Sequence, residues 1–464
     1  MGGIALSLDK KELILKGNLY KALLILAFPI MINTIIETLY SVVDGIWVSK
    51  ISSVHFAATA FVFPVNFLVI SVGIGIFVAG MAILSQMVGA GEEEKAKEYT
   101  AQFIVFSLVL SIVFSILGII LTPYIVKLMG ATGGIAEHGT TYLRITFLEI
   151  PFIFFFFNMD AIKSAQGDTL TPTIISSISV ILNIILDPIF IFTLNMGIAG
   201  AAWASVVSRA AMMFYGIKIV LSPKNKLKPD FTNFKFNKEI IKEIIKIALP
   251  ATTGQAGAAA GFIILNGFVV SYGTATMAAF GMVNRIIALV QQPAMAIGSA
   301  LTAVIGQNIG AKNFTRVYES FRKASFLTLL MGIVGGALLI LFSTGIIKFF
   351  IQSKDDPEVI LQGIVYLKYI AFSMPLMGMF SVFQGVFQGS GHTKYSMYME
   401  IGRLWLVRLP LILLFMYFTN FGSLGIWFSM SFSNLVVVLY GYYIYKEGSW
   451  SIVKIGTAGQ VERV

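Results

Sequence analysis

The chain has no cysteine, only three histidines, and a charged fraction of 12% in 464 residues. The missing thiols exclude disulfides, thiol catalysis and thiolate metal sites, and leave the redox compartment unreadable. A soluble protein carries about twice that share of charge. No GxxxxGK[ST] occurs anywhere, so the glycines of Gly73-Ile74-Gly75 and Gly80, set in an apolar run, read as close helix packing and not as a phosphate cradle. His55, His138 and His392 show no metal-ligand spacing and read as surface residues.

What the chain has in abundance is apolar sequence, 57% hydrophobic with 39 phenylalanines and 43 glycines. Twelve stretches are long enough to cross a bilayer. They run over 22–48, 55–88, 101–126, 141–162, 172–194 and 198–219, then 243–270, 277–309, 324–348, 360–387, 396–418 and 424–445. The fold class is an all-α integral membrane protein. No cleavable leader is expected, because the first run is too long and carries Glu37 and Asp44.

The net charge of +10 resides mainly in short loops, a membrane-topology pattern and not a nucleic-acid surface. Lys10, Lys11, Lys16 and Lys21 precede the first span, and eight lysines from Lys218 to Lys246 lie between the sixth and seventh. Lys312, Arg316, Arg322 and Lys323, then Lys394, then Lys446 and Lys454 fall on the same side. Opposite are Lys50, Lys127 and a mixed loop with Lys348, Lys354, Asp355, Asp356 and Glu358. Both termini are therefore expected in the cytoplasm of a cell-membrane protein.

The two halves echo each other. Gln86-Met87-Val88-Gly89-Ala90 answers Gln307-Asn308-Ile309-Gly310-Ala311, Ala165-Gln166-Gly167-Asp168-Thr169 answers Gly389-Ser390-Gly391-His392-Thr393, and Gly197-Ile198-Ala199-Gly200-Ala201 answers Gly422-Ser423-Leu424-Gly425-Ile426. Two pseudo-symmetric six-helix lobes around a central cavity are expected, residues 1–219 and 243–464, joined by a lysine-rich cytoplasmic linker over 220–242. Such parallel repeats suit alternating access.

Ionisable groups at membrane depth cost about 2.5–3.5 kcal/mol each on insertion scales, so their presence asks for a reason. Asn33, Glu37, Tyr40 and Asp44 step by four, three and four and share one helix face. Asn183 and Asp187 share a face of the fifth span. Pro188 follows, and its missing N–H frees the Ile184 carbonyl. Carboxylate, amide oxygen and freed carbonyl are hard ligands for a small cation, and equally the parts of a proton site. Tyr142, Asn158, Asp160 and Ser205 are candidates to reach the same interior, with packing as the plain alternative. Pro29 is where the first helix can bend. In the second half, Glu400 and Arg403 read as a mutual ion pair, and Arg285 and Arg408 as snorkelling or bracing residues. Negative potential thus belongs to the first lobe. Without an ATP site, transport must draw on an ion gradient, which makes a secondary transporter the expected class.

At these residues the chain resembles the multidrug and toxic compound extrusion family, MATE, and within it the DinF-like and archaeal-type branch. Pro29, Tyr40, Asp44, Gly45, Tyr142, Asn183 and Asp187 carry the likeness, with the repeated Gln-x-x-Gly-Ala positions. The resemblance implies efflux of organic cations or amphipathic compounds against a proton or sodium gradient. It also implies coupling through Asp44 and Asp187 with Asn183 and Ser205 as co-ligands, and bending of the first helix at Pro29 during the cycle. Protons are the preferred ion, because the site is rich in carboxylates. Glu37 and Asp160 stand where uncharged polar residues are expected, which makes the pocket more acidic. The second lobe has Gln255 and no acid near its first span, so a cation site there is not expected. No cofactor, metal other than Na+ at the Asp44–Asp187 site, nucleic acid or obligate protein partner is implied. The partners are small cationic solutes and the bilayer. A lipid-linked oligosaccharide flippase of the same superfamily is the nearest rival and would want a basic cavity. A membrane-embedded enzyme or a passive channel are the more distant ones.

Overall fold

The computed structural model describes residues 10–232, 234–350 and 357–451. Lys354, Asp355, Asp356 and Lys454, used above to read topology, lie outside the described residues. The first half comprises α1 (Lys10–Lys16), α2 (Leu19–Ile51), α3 (Ser53–Ala90), α4 (Glu93–Leu128), α5 (Gly133–Thr146), α6 (Ile150–Ala165), α7 (Leu170–Pro188) and α8 (Ile198–Val220). The second comprises α9 (Lys238–Ser271), α10 (Thr274–Gly310), α11 (Phe314–Leu341), α12 (Ser343–Phe350), α13 (Pro357–Gly389), α14 (Thr393–Ile401), α15 (Leu409–Phe418) and α16 (Ser423–Glu447).

Among the described residues, 12 helices are long and apolar enough to cross a membrane. Each matches one of the expected spans, so the protein is an all-α multi-pass membrane protein. The helices overrun the apolar runs. α4, for instance, starts at Glu93 and carries Lys95, Lys97 and Glu98 before its first uncharged stretch. Hydropathy marks the part immersed in lipid, whereas backbone hydrogen bonding continues past it. The ninth span ends earlier than the expected 348, because α11 stops at Leu341 and α12 is a separate short helix.

The internal repeat extends to backbone conformation. Gly167 and Gly391 have φ of 81° and 78°, and Gly197 and Gly422 both have φ of 57°. Side chains rarely adopt this left-handed region, so glycine at both members of each pair is a conformational requirement. The fifth span of each half also contains a π segment, Ile189–Thr193 after α7 and Gly402–Arg408 between α14 and α15.

The chain divides into two compact units, but not at the lysine-rich segment. Among the described residues, one unit holds those up to Glu12 and those from Ile32 to Thr252, and the other holds Leu13–Met31 and those from Thr253 onward. α2 and α9 each contribute to both. The cause is packing. Leu19, Leu23, Leu26 and Ala27 of α2 are buried in one core with Val304 of α10 and Val317 of α11. Arg316 caps the end of α1, donating to the carbonyls of Ile14 (2.8 Å), Leu13 (3.3 Å) and Gly17, the carbonyls that a helix C-terminus leaves open.

In the unit holding Ile32–Thr252, α3 packs on α5 and α6, and α7 on α8. The start of α9 joins it where a Cβ on Gly75 would meet the Ala248 carbonyl at 2.6 Å, and where Tyr99 Oη donates to Glu243 Oε2 at 2.7 Å. The segment after α8 is docked as well. Gln102 Nε2 donates to the Lys235 carbonyl at 2.7 Å, and the Asn237 N–H to Gln102 Oε1 at 3.3 Å.

In the other unit, α10 packs against α11 and α13, and α13 against α16. Ser381 Oγ bridges α13 to the Ala294 carbonyl of α10 at 2.9 Å. The Glu400–Arg403 ion pair forms at 3.0 Å. Arg408 is 4% exposed and braces its unit through Ser433 Oγ (3.0 Å), Asn434 Oδ1 (3.1 Å) and the Met430 carbonyl (3.4 Å). Arg285 is exposed. The histidines are not the surface residues their spacing suggested. His392 is buried in its own turn, with Nδ1 at 3.1 Å from the Ser390 carbonyl. His55 and His138 are half-buried and stack, centroids 4.0 Å apart.

Candidate functional site in the first unit

α7 is amphipathic in the sense a membrane demands. Leu170, Ile174, Ile178, Ile181 and Ile185 form an exposed apolar stripe, while Ser176, Ser179, Asn183 and Asp187 are buried on the other side. Apolar groups cost nothing against lipid, so the polar stripe must turn inward and find partners. The face of α2 bearing Asn33, Glu37, Tyr40 and Asp44 supplies some of them.

Two clusters result. In the first, Tyr40 Oη and Ser205 Oγ are 2.9 Å apart. The Asn183 amide satisfies both neighbours in one orientation. Its nitrogen donates to Asp187 Oδ2 at 3.0 Å, and its oxygen accepts from the Ser205 backbone N–H at 3.1 Å and Oγ at 3.3 Å. The chain of donors then runs from Tyr40 through Ser205 and Asn183 to Asp187. Asp187 is fully buried. One oxygen of Asp187 and one of Asp44 are buried with no hydrogen-bond partner among the described residues. Asp44 and Asp187 lie within electrostatic range of each other, and Tyr142 within range of both. Two carboxylates, each with an open oxygen, form a site that accepts positive charge.

The second cluster lies nearer the start of α2. Glu37 Oε1 accepts from Asn33 Nδ2 at 3.5 Å and from Ser176 Oγ at 3.3 Å. Asp160 Oδ1 accepts from Ser164 Oγ at 2.7 Å and interacts electrostatically with Glu37. Asn158 joins neither. Its amide donates to Ser107 Oγ on α4 and to the Phe154 carbonyl (2.7 Å) in its own helix. Pro29 is buried within α2, which stays helical through it, and Pro29 belongs to the other unit.

Three residues of the first cluster were not foreseen there. Arg209 places its guanidinium 5.8 Å from the centre of the Tyr40 ring and interacts with Glu149, which is also hydrogen-bonded by Asn66. Arg209 follows Ser205 by four on α8, a face relation visible in sequence. Asn66 offered only its isolation in an apolar run. Among the described residues, no group of three or more His, Asp and Glu side chains is arranged to hold a metal ion.

The cluster is held by close packing. Val48 of α2, Ile191 of the π segment and Ala201 of α8 form a small buried core flanked by Trp47 and Tyr142. A Cβ on Gly200 would meet the Phe190 carbonyl carbon at 2.6 Å, so only glycine lets α8 approach the π segment.

Comparison with known proteins agrees with this architecture. YpnP of Bacillus subtilis (strain 168), named as a probable multidrug resistance protein, is 29% identical over 95% of this chain and 98% of its own length. The multidrug export protein MepA of Staphylococcus haemolyticus (strain JCSC1435) is 25% identical, covering 92% and 94%. The crystal structure of a MATE protein in complex with MaL6 superposes with a TM-score of 0.89 at 25% identity, over 95% of this chain and 98% of that one. These relatives are transporters, not enzymes. The sequence matches the family described as MatE over residues 29–189 and 250–414, one match in each half, and the chain therefore belongs to the MatE family of membrane transporters.

Proposed function

We propose that this transporter is a secondary active multidrug efflux antiporter, exporting organic cations or amphipathic compounds in exchange for H+, or Na+, by alternating access. Asp44 and Asp187 carry the coupling ion, with Asn183 and Ser205 as co-ligands, and Glu37, Asn33, Tyr40, Tyr142 and Asp160 form the acidic lining toward which cationic substrates are drawn. The protein sits in the cell membrane with both termini cytoplasmic, as the lysine distribution suggests.

The observation that carries this reading is the directed relay from Tyr40 through Ser205 and Asn183 to Asp187. An ionised Asp187 only accepts hydrogen bonds; a protonated one has a hydrogen to give. Protonation at the open Oδ1 removes the charge that strengthens the bond from Asn183 to Oδ2, which weakens the hold of Asn183 on Ser205 and of Ser205 on Tyr40 without reversing it. A charge change on α7 is in this way felt on α2. Protons fit better than sodium because the relay is a string of exchangeable hydrogens beside open carboxylate oxygens. Of the two second-half arginines that a flippase's basic cavity could use, Arg408 is engaged by neutral groups of its own unit and Arg285 is exposed.

The test is ethidium export from everted vesicles under imposed proton or sodium gradients, across pH. Collapse of the proton gradient should stop uphill export, and Asp44→Asn or Asp187→Asn should abolish it while the protein remains folded. Export by Asp44→Asn at the normal rate overturns the coupling assignment. Export driven by sodium alone replaces the proton by Na+. Lipid flipping without drug export in the same vesicles overturns the function.

A further inference from the structure

A second polar feature of the first unit lies away from the carboxylate clusters. It is a cavity of about 250 Å³ lined by Lys10, Lys11, Lys163, Lys224 and Lys226, with Asp168 and Glu93 as the acids among its described lining residues. Among the described lining residues the lysines outnumber the carboxylates, with Lys10 paired to Asp168 at 2.8 Å. Four stretches of chain build it: the start of α1, the end of α3 with the first residue of α4, the end of α6 with its loop, and the loop after α8.

The cavity is a prepared one. Asn225, between Lys224 and Lys226, is 3% exposed. It accepts from Gln166 Nε2 at 3.0 Å and donates to the Val220 carbonyl at 2.8 Å, while Leu227 beside it is fully buried. These contacts fasten the loop to the end of α6, so the two exposed lysines flanking Asn225 are carried on a fixed pedestal. Asp168 orders the opposite wall, accepting from Lys10 Nζ at 2.8 Å and from Thr171 Oγ1 at 2.6 Å.

We propose that this cavity binds the phosphodiester head group of an anionic lipid. The chemistry shared by lipid and free phosphate is the charged phosphoryl group, which clustered lysines attract at a membrane surface. Two features favour the lipid. The cavity is rimmed by ends of spanning helices, Val88 in the last turn of α3 and Lys163 in the last turn of α6. The exposed stripe of α7 begins at Leu170, two residues past Asp168, and continues through Ile174, Ile178, Ile181 and Ile185. That stripe spans about 22 Å, longer than the roughly 15 Å of one leaflet's hydrocarbon, so an acyl chain can lie along it while its head group occupies the lysines. Assigning the lipid to the cytoplasmic leaflet rests on the orientation proposed above.

The experiment is native mass spectrometry of the full-length protein in neutral detergent with phosphatidylglycerol or phosphatidylcholine. The triple exchange Lys163→Gln, Lys224→Gln, Lys226→Gln is compared with Lys238→Gln, Lys242→Gln, Lys246→Gln. Phosphatidylglycerol should be retained over phosphatidylcholine, and the cavity exchange should lower its retention by about tenfold or more, with little change in the control. Equal loss in both triples, or no preference in the unaltered protein, overturns the site. Displacement by millimolar inorganic phosphate overturns the lipid in favour of a free phosphate. If the triple does not fold, Lys224→Gln alone, in an exposed loop, should still reduce retention, and an unchanged value overturns the proposal. Retention in detergent does not depend on membrane orientation or drug export, so its failure is distinguishable from theirs.

Discussion

Tyr40 Oη and Ser205 Oγ meet at 2.9 Å across 165 residues of sequence, tying α2 to α8 beside the Asp187 carboxylate. Neither group has an intrinsic affinity for the other that a helix could supply. The contact exists because both would otherwise face an apolar interior, where an unmade hydrogen bond costs about 1–3 kcal/mol.

A double-mutant cycle measures that contact. Tyr40→Phe and Ser205→Ala should each lower thermal stability in detergent by about 0.5–1.5 kcal/mol, and the pair by clearly less than their sum. Additive losses would show that the two hydroxyls act independently.

Gly200→Ala should be among the more damaging single-methyl changes in the unit. Its Cβ would enter the backbone of Phe190, at a cost of about 1–3 kcal/mol, and should reduce transport by loosening α8 from the π segment. Gly267→Ala is the control, since nothing lies within 4 Å of a Cβ there. A melting temperature unchanged for Gly200→Ala would refute the close approach.

Asp168 gives a pH signature outside the spans. Burial works against its carboxylate, but hydrogen bonds from Lys10 and Thr171 and the charges of Lys10 and Lys163 outweigh it and hold it below the usual carboxylate range. A value lower when folded than unfolded means the stabilisation is fully present above the unfolded value of about 4 and is lost as pH falls through the folded one. The melting-temperature gap between the unaltered protein and Asp168→Asn should therefore be constant near neutrality and close in strong acid. A gap that vanishes already at pH 6 would contradict the ion pair.

Arg408→Lys should destabilise the second unit even though charge is kept. A lysine cannot reproduce the fork that reaches Ser433, Asn434 and the Met430 carbonyl, and the loss should be about 2 kcal/mol or more. Export normalised to folded protein should hardly change, as befits a brace. A stable Arg408→Lys protein with altered export would instead place this guanidinium in transport.

The spans were legible because lipid imposes a long apolar run on every crossing, and the polar face of α2 was legible because 3.6-residue periodicity is written along one segment. Asn183 and Asp187 showed for the same reason. The pairings of Arg209 with Tyr40, Asn66 with Glu149 and His55 with His138 were not, since each joins different segments; of these residues only Arg209, four after Ser205, left a spacing to read. The break in α11 and the docking of Lys235 on Gln102 escaped likewise. Hydropathy cannot separate a terminal turn from a new short helix, and a run of lysines looks like a tether whether or not its backbone is bonded elsewhere.

The twin left-handed turns at Gly167 and Gly391 are followed by different residues, Asp168 in one half and His392 in the other. The first holds a lysine and caps a helix; the second folds into its own loop. Duplicated backbone has thus been kept while the side chain after the hinge diverged. One copy of the same bend became an electrostatic fastening and the other a packed plug, a division of labour that a chain of two equal halves acquires by changing a single address.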